Sequence, residues 1–532
     1  MWKKRRWLKW FVIICSIFIA GIVAAAIWIN SILPKKIREK LKELAPMVQV
    51  DFSSIQTHIL ASSFTFHQVS IIIQPDSSHT TNTHSMQFDE LSVDGVELFQ
   101  FIINKKLRIR KILLDKGQVR LDKFLLDQED DAKNKHQKIQ LPFKEMIIQQ
   151  FEIKEATVWL NAKGSGSPLL TGDLTLHDIV MNDSAGNEKD QMHVAGIECH
   201  AKNLRYVLAK SYHTLLIKSF SLNSQDELLR LDSLQIVPHF GKLEFGPKVG
   251  YQADRIDMSI RSIECIHPDI MQLFDKKLVA EKITVKDGRA FVFRDRRIPM
   301  KPERKPLPSE YLSKIPIDVR VGQLSIGPVL VVYEEFPKDG IESGTLKIEK
   351  LKMLLTPFAN HPRSKEDHIN MLVSGSIMGA GDVDASIHLP FKTGDPYEVK
   401  GAFHNLNLVS LNPSAENLGR FHIRSGLLNL LSFQFSMDST KATGQIIGEY
   451  HDLVIDKLKK DQKKGDKADW FKSFVLQHLI IRKNKDKSMP VEKRTGKVDY
   501  QRDPNRFFSH YMLHALLSGV KSSFTLGFLL PG

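Results

Sequence analysis

The sequence has few of the residues on which disulfide-rich scaffolds depend. Only three cysteines occur among 532 residues, and Cys15 lies inside an apolar segment. Cys199 and Cys265 could pair in an oxidising compartment, but their wide spacing fits no disulfide scaffold. Two free, partly buried thiols are the expected state.

Catalytic and metal-binding patterns are also lacking. His510 and His514 are one helical turn apart, but Tyr511 stands where a zinc-protease helix needs glutamate. Asp382 and Asp384 have no further acidic partner at calcium-loop spacing, so we interpret them as part of a turn between strands. No serine lies in a nucleophile elbow. We therefore expect no enzyme activity, no metal and no cofactor.

The positive charge is confined to short segments. The formal net charge is +14, and the excess lies in the two flanks of the N-terminal apolar segment and in residues 457–467 and 482–497. The rest of the chain is slightly acidic. A basic groove for phosphates is absent from this pattern, so we expect no nucleic acid as a partner.

One long apolar segment is present near the N terminus. It begins at Phe11, ends at Leu33 and contains no charged residue. Roughly 20 apolar residues in a helix cross a hydrocarbon core of about 30 Å. The sequence therefore predicts a transmembrane helix over residues 11–33, after a cytoplasmic tail of residues 1–10. A cleaved signal peptide is the alternative, although apolar regions of signal peptides are usually about 7 to 15 residues long.

Orientation follows from the short N-terminal tail. Basic residues flank the segment on both sides, so the positive-inside rule gives only a weak preference. We favour an inner (cytoplasmic) membrane protein with a single span and with its bulk in the periplasm.

The body of the chain has the pattern of β-strands. Residues 34–45 predict a short amphipathic helix, because Ile37, Leu41 and Leu44 share one helical face. From residue 46 onward apolar and polar residues alternate, and no long helical pattern occurs between about residues 60 and 465. The sequence predicts an elongated β-sheet body over residues 46–456.

One unit recurs within this body. Gly117, Ala156, Gly288 and Gly322 are each preceded and followed by two apolar residues at alternate positions. At the small residue, the alternation of apolar and polar residues shifts by one position. A turn or bulge at each of the four positions would keep both apolar pairs on one face of the sheet.

The C-terminal part differs in composition. Residues 457–500 predict a basic linker with short elements, and residues 501–532 predict an amphipathic helix, centred on residues 505–521, followed by an apolar tail. We expect this helix to rest on an anionic membrane or to close one end of a groove in the sheet.

Residues 400–459 carry a family resemblance. Ser425-Gly426-Leu427 leads into an alternating strand, and Thr443-Gly444 begins a strand that ends in Tyr450-His451-Asp452-Leu453. This segment resembles the C-terminal region of AsmA-like proteins, and the ending resembles anchored proteins of that type from Bacteroidetes-like bacteria. The resemblance implies a long, curved, groove-forming β-sheet of the bridge-like lipid-transfer class, which works between inner and outer membranes. The expected fold class is therefore mainly β: an N-terminal transmembrane helix is followed by the curved β-sheet and by a C-terminal amphipathic helix.

Strand parity identifies the side chains that would line such a groove. Apolar residues occupy one face of two successive strands, and from periodicity alone they either fill a core or face a ligand. The resemblance favours a groove, whose expected lipid-binding residues are Leu431, Phe433, Phe435, Met437, Ile446 and Tyr450. We expect an anchored envelope protein that binds or conducts a phospholipid or other acyl lipid between membranes. A complete bridge would need another envelope protein or self-association, and a non-transporting scaffold for outer-membrane or envelope assembly is the alternative.

Overall fold

The structure is a computed structural model. It describes residues 48–58, 62–73, 84–121, 144–160, 167–182, 192–208, 211–273, 275–362, 367–392, 394–458 and 495–524. The expected cytoplasmic tail, the transmembrane helix from Phe11 to Leu33 and the amphipathic helix over residues 34–45 lie outside the described residues. Within the described ranges, no helix combines the length and the apolar character needed to cross a membrane.

The described chain is mainly β, as the sequence predicts, and 22 strands are hydrogen-bonded into a sheet. The strands are β1 (Val48–Asp51), β2 (Ser54–His58), β3 (Ser63–Ile73), β4 (His84–Val96), β5 (Lys106–Asp115), β6 (Gln118–Leu121), β7 (Glu145–Leu160), β8 (Leu170–Asn182), β9 (Met192–Leu208), β10 (His213–Asn223), β11 (Leu228–Pro238), β12 (Asp254–Ile266), β13 (Lys277–Asp295), β14 (Asp318–Phe336), β15 (Gly344–Thr356), β16 (Phe358–Ala359), β17 (His368–Ile377), β18 (Asp382–Pro390), β19 (Tyr397–Asn407), β20 (Phe421–Met437), β21 (Lys441–Lys457) and β22 (Thr495–Gln501).

The helices are short with one exception. They are α1 (Leu98–Asn104), α2 (Lys242–Val249), α3 (Ile270–Leu273), α4 (Pro308–Ser313), α5 (Asn412–Ser414) and α6 (Phe508–Phe524). The expected lack of long helices between residues 60 and 465 is confirmed for the described part of that range. The C-terminal helix expected over residues 505–521 is present as α6. β22 lies inside the segment expected to be a linker with short elements, and it adds a strand next to β21.

The chain divides into two compact units. The first comprises Met1–Tyr206 with Leu216–Asp232, and the second comprises Val207–Leu215 with Ser233–Gly532. β1 to β8 belong to the first unit and β12 to β22 to the second, while β9, β10 and β11 are divided between them.

In the first unit, apolar residues line up across successive strands. One such row is formed by Phe66, Leu91, Leu114, Ile153, Leu174 and Cys199, each paired in register with the next. Phe66, Leu91 and Leu114 are fully buried. Burying this face removes large apolar side chains from water, which is the main favourable contribution to folding.

The predicted corner at Gly117 and Ala156 is confirmed. β5 and β6 both run parallel to β7, with Asp115 beside Lys154 and Gln118 beside Thr157. The two corners therefore lie next to each other. Lys116 and Glu155 adopt positive φ angles immediately before them, so the alternation slips by one residue in both strands at the same level.

In the second unit, each strand from β12 to β22 pairs antiparallel with the next, except that β13 and β14 run parallel and that β15 pairs with β17 rather than with β16. The two-residue strand β16 pairs with β14 beside the start of β14. A parallel pair requires a crossover connection. Residues 296–317, which include α4, provide it and carry the chain from the end of β13 back to the start of β14.

The predicted corner at Gly322 is wrong. β14 continues through Gly322, and its irregularity lies at Gly327-Pro328, where the register with β15 shifts between Ile326 and Val329. Gly327 has a φ of +120°, and a Cβ there would lie 2.4 Å from the carbonyl oxygen of Leu351. Glycine tolerates this conformation and proline cannot donate a ladder hydrogen bond, so the strand is interrupted at this dipeptide. The corner at Gly288, whose neighbour Asp287 has positive φ, lies beside Val329.

Candidate functional site

The six residues expected to line a groove share one face of β20 and β21, but they are buried among protein side chains. Their exposed fractions do not exceed 5% in Leu431 and Phe433 and fall to 0% in Met437 and Ile446, with Phe435 and Tyr450 between these values. The predicted parity is therefore correct. Periodicity alone allowed either a filled core or a ligand-facing surface, and the burial of these residues matches the filled core.

Helix α6 provides much of the cover over these strands. Tyr511 and Ala515 are buried in the same apolar cluster. A Cβ on Gly519 would lie 2.8 Å from a methyl of Val498 and 3.0 Å from a methyl of Ile446, and a Cβ on Gly496 would lie 2.3 Å from the carbonyl oxygen of Gly519. The helix thus packs directly on the sheet, and glycines on both sides permit the close approach.

The crossover segment covers the neighbouring end of the same face. Leu307 is 2% exposed in the cluster, and the backbone amide of Ser309 donates to the hydroxyl of Tyr397 at 3.1 Å. The Ser309 and Tyr397 hydroxyls are also hydrogen-bonded to each other at 2.7 Å. The segment is thereby held on β19.

One continuous row of apolar or small residues crosses the second unit. It consists of Cys265, Ile283, Leu324, Leu355, Met371, Ile387, Val399, Phe435, Gly444 and Val498, one from each successive strand from β12 to β22 apart from β16. We call the sheet face that carries this row the apolar face. With strands about 4.8 Å apart, the row is roughly 40 Å long.

The apolar face is covered unevenly along this row. Val399, Phe435 and Val498 are at most 2% exposed. Cys265, in the first strand of the row, is 3% exposed, whereas Ile283 and Leu324 in the next two strands are only half-buried. The same row is therefore closed at β19 to β22 and partly open at β13 and β14.

Beyond that row, β12 to β15 carry three further rows on the apolar face. In register they are Ile260, Gly288, Val329 and Leu351; Met258, Ala290, Val331 and Ile348; and Ile256, Val292, Tyr333 and Leu346. We call these the three open rows. Apart from Gly288, all of these residues are half-buried. A filled core normally leaves its central side chains almost fully buried, so these rows retain apolar surface in contact with solvent.

A row of charged residues ends the apolar surface. Asp254, Arg294 and Glu335 follow in register directly after Ile256, Val292 and Tyr333, and we call them the charged row. Arg294 donates to Asp254 through Nε at 2.8 Å and through Nη2 at 2.7 Å. Glu335 accepts from the Tyr333 hydroxyl at 2.7 Å and from Nη1 of Arg296 at 3.0 Å.

The environment of the charged row shifts its pKa values. Burial alone lowers the pKa of Arg294, but the attraction and hydrogen bonds of Asp254 outweigh burial and raise it. Burial raises the pKa of Tyr333, and the neighbouring Glu335 carboxylate raises it further. Arg294 therefore stays charged and Tyr333 stays a neutral hydroxyl donor at ordinary pH.

Side chains of the C-terminal segment lie beside this row. The ring of Phe507 lies 5.2 Å from the Arg294 guanidinium carbon, and the rings of His510 and His514 stack at 4.0 Å. Burial, His514, Arg506 and Arg296 together lower the pKa of His510 to about 4. Burial, Arg296 and Arg506 lower the pKa of His514. We call Arg296, Arg506, His510 and His514 the arginine–histidine cluster, whose two histidines are neutral at ordinary pH because their pKa values are lowered.

The remaining sequence candidates have no assigned chemistry. Cys199 and Cys265 are free thiols, and burial raises the pKa of each to about 11. Asp382 and Asp384 lie at the start of β18, just after a turn, where Asp384 contacts His404. The described residues contain no group of three or more His, Cys, Asp or Glu side chains placed to hold a metal ion.

The opposite face of β13 to β15 also carries apolar surface. A cavity of about 400 Å³ is lined by Phe291, Leu330, Val332, Lys347 and Glu349. Its aromatic residue, Phe291, is 45% exposed. Residues 329–332 are apolar on both faces of the sheet, a pattern typical of strands that are covered on both sides.

The sequence reasoning missed the open rows and the charged row. Their alternation within β12 and β15 was visible, but only the cross-strand register shows that Asp254, Arg294 and Glu335 meet in one row. The signal available in the sequence was a charged residue at the end of the apolar–polar alternation in each of three strands.

Comparison with known proteins adds no assignment to this geometry. No known protein family matches the chain, and no curated protein matches it by sequence.

Proposed function

We propose that the chain is an inner-membrane-anchored, AsmA-like envelope protein that binds the acyl chains of a lipid along the apolar face of its second unit and conducts them between membranes. One observation carries the proposal: the three open rows keep apolar side chains only partly buried across four neighbouring strands. At about 25 cal/mol per Å² of apolar surface, covering such rows with acyl chains is favourable.

The proposed lipid site therefore lies on different strands from those that the sequence favoured. The residues from Leu431 to Tyr450 that the sequence favoured contribute to a filled core, and the lipid site lies at β12 to β15. The apolar segment from Phe11 to Leu33 supports a membrane anchor. Periplasmic orientation and a partner that completes the bridge belong to the same proposal.

Paired variants in one strand test this function. Met258 lies in an open row, whereas its neighbour Ser259 is exposed on the opposite face. Met258→Glu places a carboxylate where acyl chains would lie, and Ser259→Glu places the same charge in water. Native mass spectrometry of the full chain extracted in mild detergent should detect bound lipid in the wild type and in Ser259→Glu, and much less in Met258→Glu.

A photo-crosslinking residue gives the direct measurement. Placed at position 258 it should form lipid adducts, and placed at position 259 it should form few. If position 258 yields only crosslinks within the protein, and no lipid accompanies the wild type, the proposal is wrong.

The burial of the expected groove residues favours a second function, a non-transporting anchored scaffold for envelope assembly. A scaffold needs a filled core at β17 to β22 and no bound lipid. The same mass spectra distinguish the two functions, because a scaffold should yield lipid-free protein in all three samples.

A further inference from the structure

We propose that helix α1 and the basic residues beside it form a second membrane contact in the first unit, at which Phe99 and Ile103 insert into the interface of an anionic bilayer. The bilayer is the one that holds the proposed anchor. This contact therefore rests on the anchor of the proposed function, but it does not depend on the lipid site in the second unit.

Helix α1 presents the two most exposed large apolar side chains of the described residues. Phe99 is 74% exposed and Ile103 is 60% exposed. They lie four residues apart in a seven-residue helix, so they share one helical face. Single apolar side chains at a surface are common, but two highly exposed ones on the same face indicate a surface that another component covers.

The size of this apolar face favours a bilayer over a protein partner. A whole aromatic side chain buries about 150–250 Å², so the exposed parts of Phe99 and Ile103 together offer roughly 250 Å². A standard protein–protein interface takes about 800 Å² from each partner. A bilayer contact needs less, because an anchor in the same chain already holds α1 near the membrane and raises its effective concentration there.

Exposed basic residues surround this face. Residues 97–110 and 144–145 contain two acidic side chains and five basic ones, the latter on Lys105, Lys106, Arg108, Arg110 and Lys144. The backbone amide of Lys144 donates to the carbonyl oxygen of Lys105 at 2.8 Å, so these two lysines are neighbours. Within the described ranges, only Lys106 of the five forms an ion pair, with Glu145 at 3.0 Å. Lysine and arginine beside an apolar helical face favour a membrane that contains anionic lipid.

The chain between the anchor and the sheet is long enough for α1 to reach the same membrane. The amide of Val96, just before α1, donates to the carbonyl oxygen of Ser62 beside the start of β3. β1 begins at Val48, which pairs with the last residue of β3. The 11 residues of β3 span about 37 Å, whereas the 14 residues from 34 to 47 can extend to about 46 Å. The bilayer that holds residues 11–33 is therefore within reach of α1.

The test uses the full chain in vesicles of equal parts of phosphatidylcholine and phosphatidylglycerol. An environment-sensitive fluorophore is attached to Gln100→Cys, beside the exposed face of α1, in a Cys15→Ser background. The remaining thiols, Cys199 and Cys265, have pKa values raised to about 11 and should react slowly. Gln118→Cys, exposed on β6 beyond the far end of β5, carries the control label. Spin-labelled lipids then quench the fluorophore where it contacts the bilayer.

We expect the label at position 100 to be blue-shifted and quenched, and the label at position 118 to be neither. The double variant Phe99→Ser, Ile103→Ser should lose the quenching with little change in unfolding, because both side chains are exposed. Lys105→Gln should lower the ratio of membrane-bound to free label about fivefold, since each basic side chain near an anionic surface contributes on this scale. Lys116→Gln is the matched control, because Lys116 is also exposed with a positive φ but lies at the other end of β5.

Four results would overturn the inference. An unshifted label at position 100 would show that α1 faces water, and a shifted label that lipid does not quench would show that protein, such as a second copy of the chain, covers it. Quenching that survives the double serine variant would exclude the apolar face. Quenching that is the same in Lys105→Gln and in vesicles of phosphatidylcholine alone would exclude the preference for anionic lipid.

The same vesicles separate this contact from the proposed function. If the full chain is released from the vesicles by alkaline carbonate, the anchor of the proposed function fails. If the chain is retained and the label at position 100 stays in water, only the contact at α1 is refuted.

Discussion

The substitution Phe433→Glu distinguishes between a filled core and a lipid-binding groove at β20. Phe433 is 5% exposed, its ring lies 5.6 Å from that of Phe403 and 6.0 Å from that of Phe435, and a Cβ on Gly401 would lie 2.6 Å from it. Losing a buried phenylalanine costs about 3–5 kcal/mol, and a buried carboxylate adds several more unless it is protonated. Since domains are stable by about 5–15 kcal/mol, most of the stability of this unit should be lost.

Gln434→Glu is the matched control, because Gln434 is exposed on the opposite face beside Lys400. Its effect should stay within about 0.5 kcal/mol. Urea unfolding followed by circular dichroism, with hydrogen exchange of the amides of β19 to β21, measures both variants.

The deficit in the free energy of unfolding that Phe433→Glu causes should also depend on pH. Burial raises the pKa of the introduced carboxyl above its unfolded value of about 4.3. The folded state then binds more protons than the unfolded state between these two pKa values, so the deficit grows as pH rises through this window and shrinks below it. A variant as stable as Gln434→Glu at neutral pH, which also crosslinks to lipid from position 433, would refute the core assignment.

Three further predictions concern other parts of the fold. Gly327→Ala should destabilise the second unit more than Gly394→Ala, because both positions have positive φ but only at Gly327 would the new Cβ meet backbone; equal unfolding midpoints would contradict this. Deleting residues 504–532 should remove protection from hydrogen exchange in β21 and β22, since the deletion takes away α6 and its buried core residues, and an unchanged exchange pattern would show that the helix is dispensable. In a Cys15→Ser background, Cys199 and Cys265 should react with iodoacetamide at pH 8 far more slowly than a model thiol and should accelerate as pH approaches about 11; alkylation at the model rate would contradict the raised pKa values.

Much of the fold follows from local pattern. The alternation of Phe433 with Gln434, or of Met258 with Ser259, reports which side of a strand is apolar, and the structure agrees at both. The corner at Gly117 and Ala156 was predictable for the same reason, since a slip in parity requires an extra residue wherever one face is buried.

The alternation of apolar and polar residues does not show how completely other parts of the chain cover an apolar face. Phe435 and Val331 both occupy the apolar side of alternating strands, yet one is 1% exposed and the other half-buried. Phe435 lies in an apolar cluster to which the crossover segment contributes Leu307 and α6 contributes Tyr511 and Ala515, residues far from it in sequence. The corner in β14 was misplaced for a related reason: Gly322 fits the local pattern, and only the pairing with β15 shows that the irregularity lies at Gly327.

The charged row bears on whether the open rows are an unfinished core or a binding surface. A paired, partly buried Arg294 and Asp254 contribute little net stability, because the attraction between them is offset by their loss of hydration. The fold therefore gains little by placing them directly after three apolar rows. A lipid bound as proposed would gain from that placement, because its chains and its polar headgroup need opposite environments. The juxtaposition of Val292 with Arg294, and of Tyr333 with Glu335, thus favours a bound amphipath over a core that is incompletely packed.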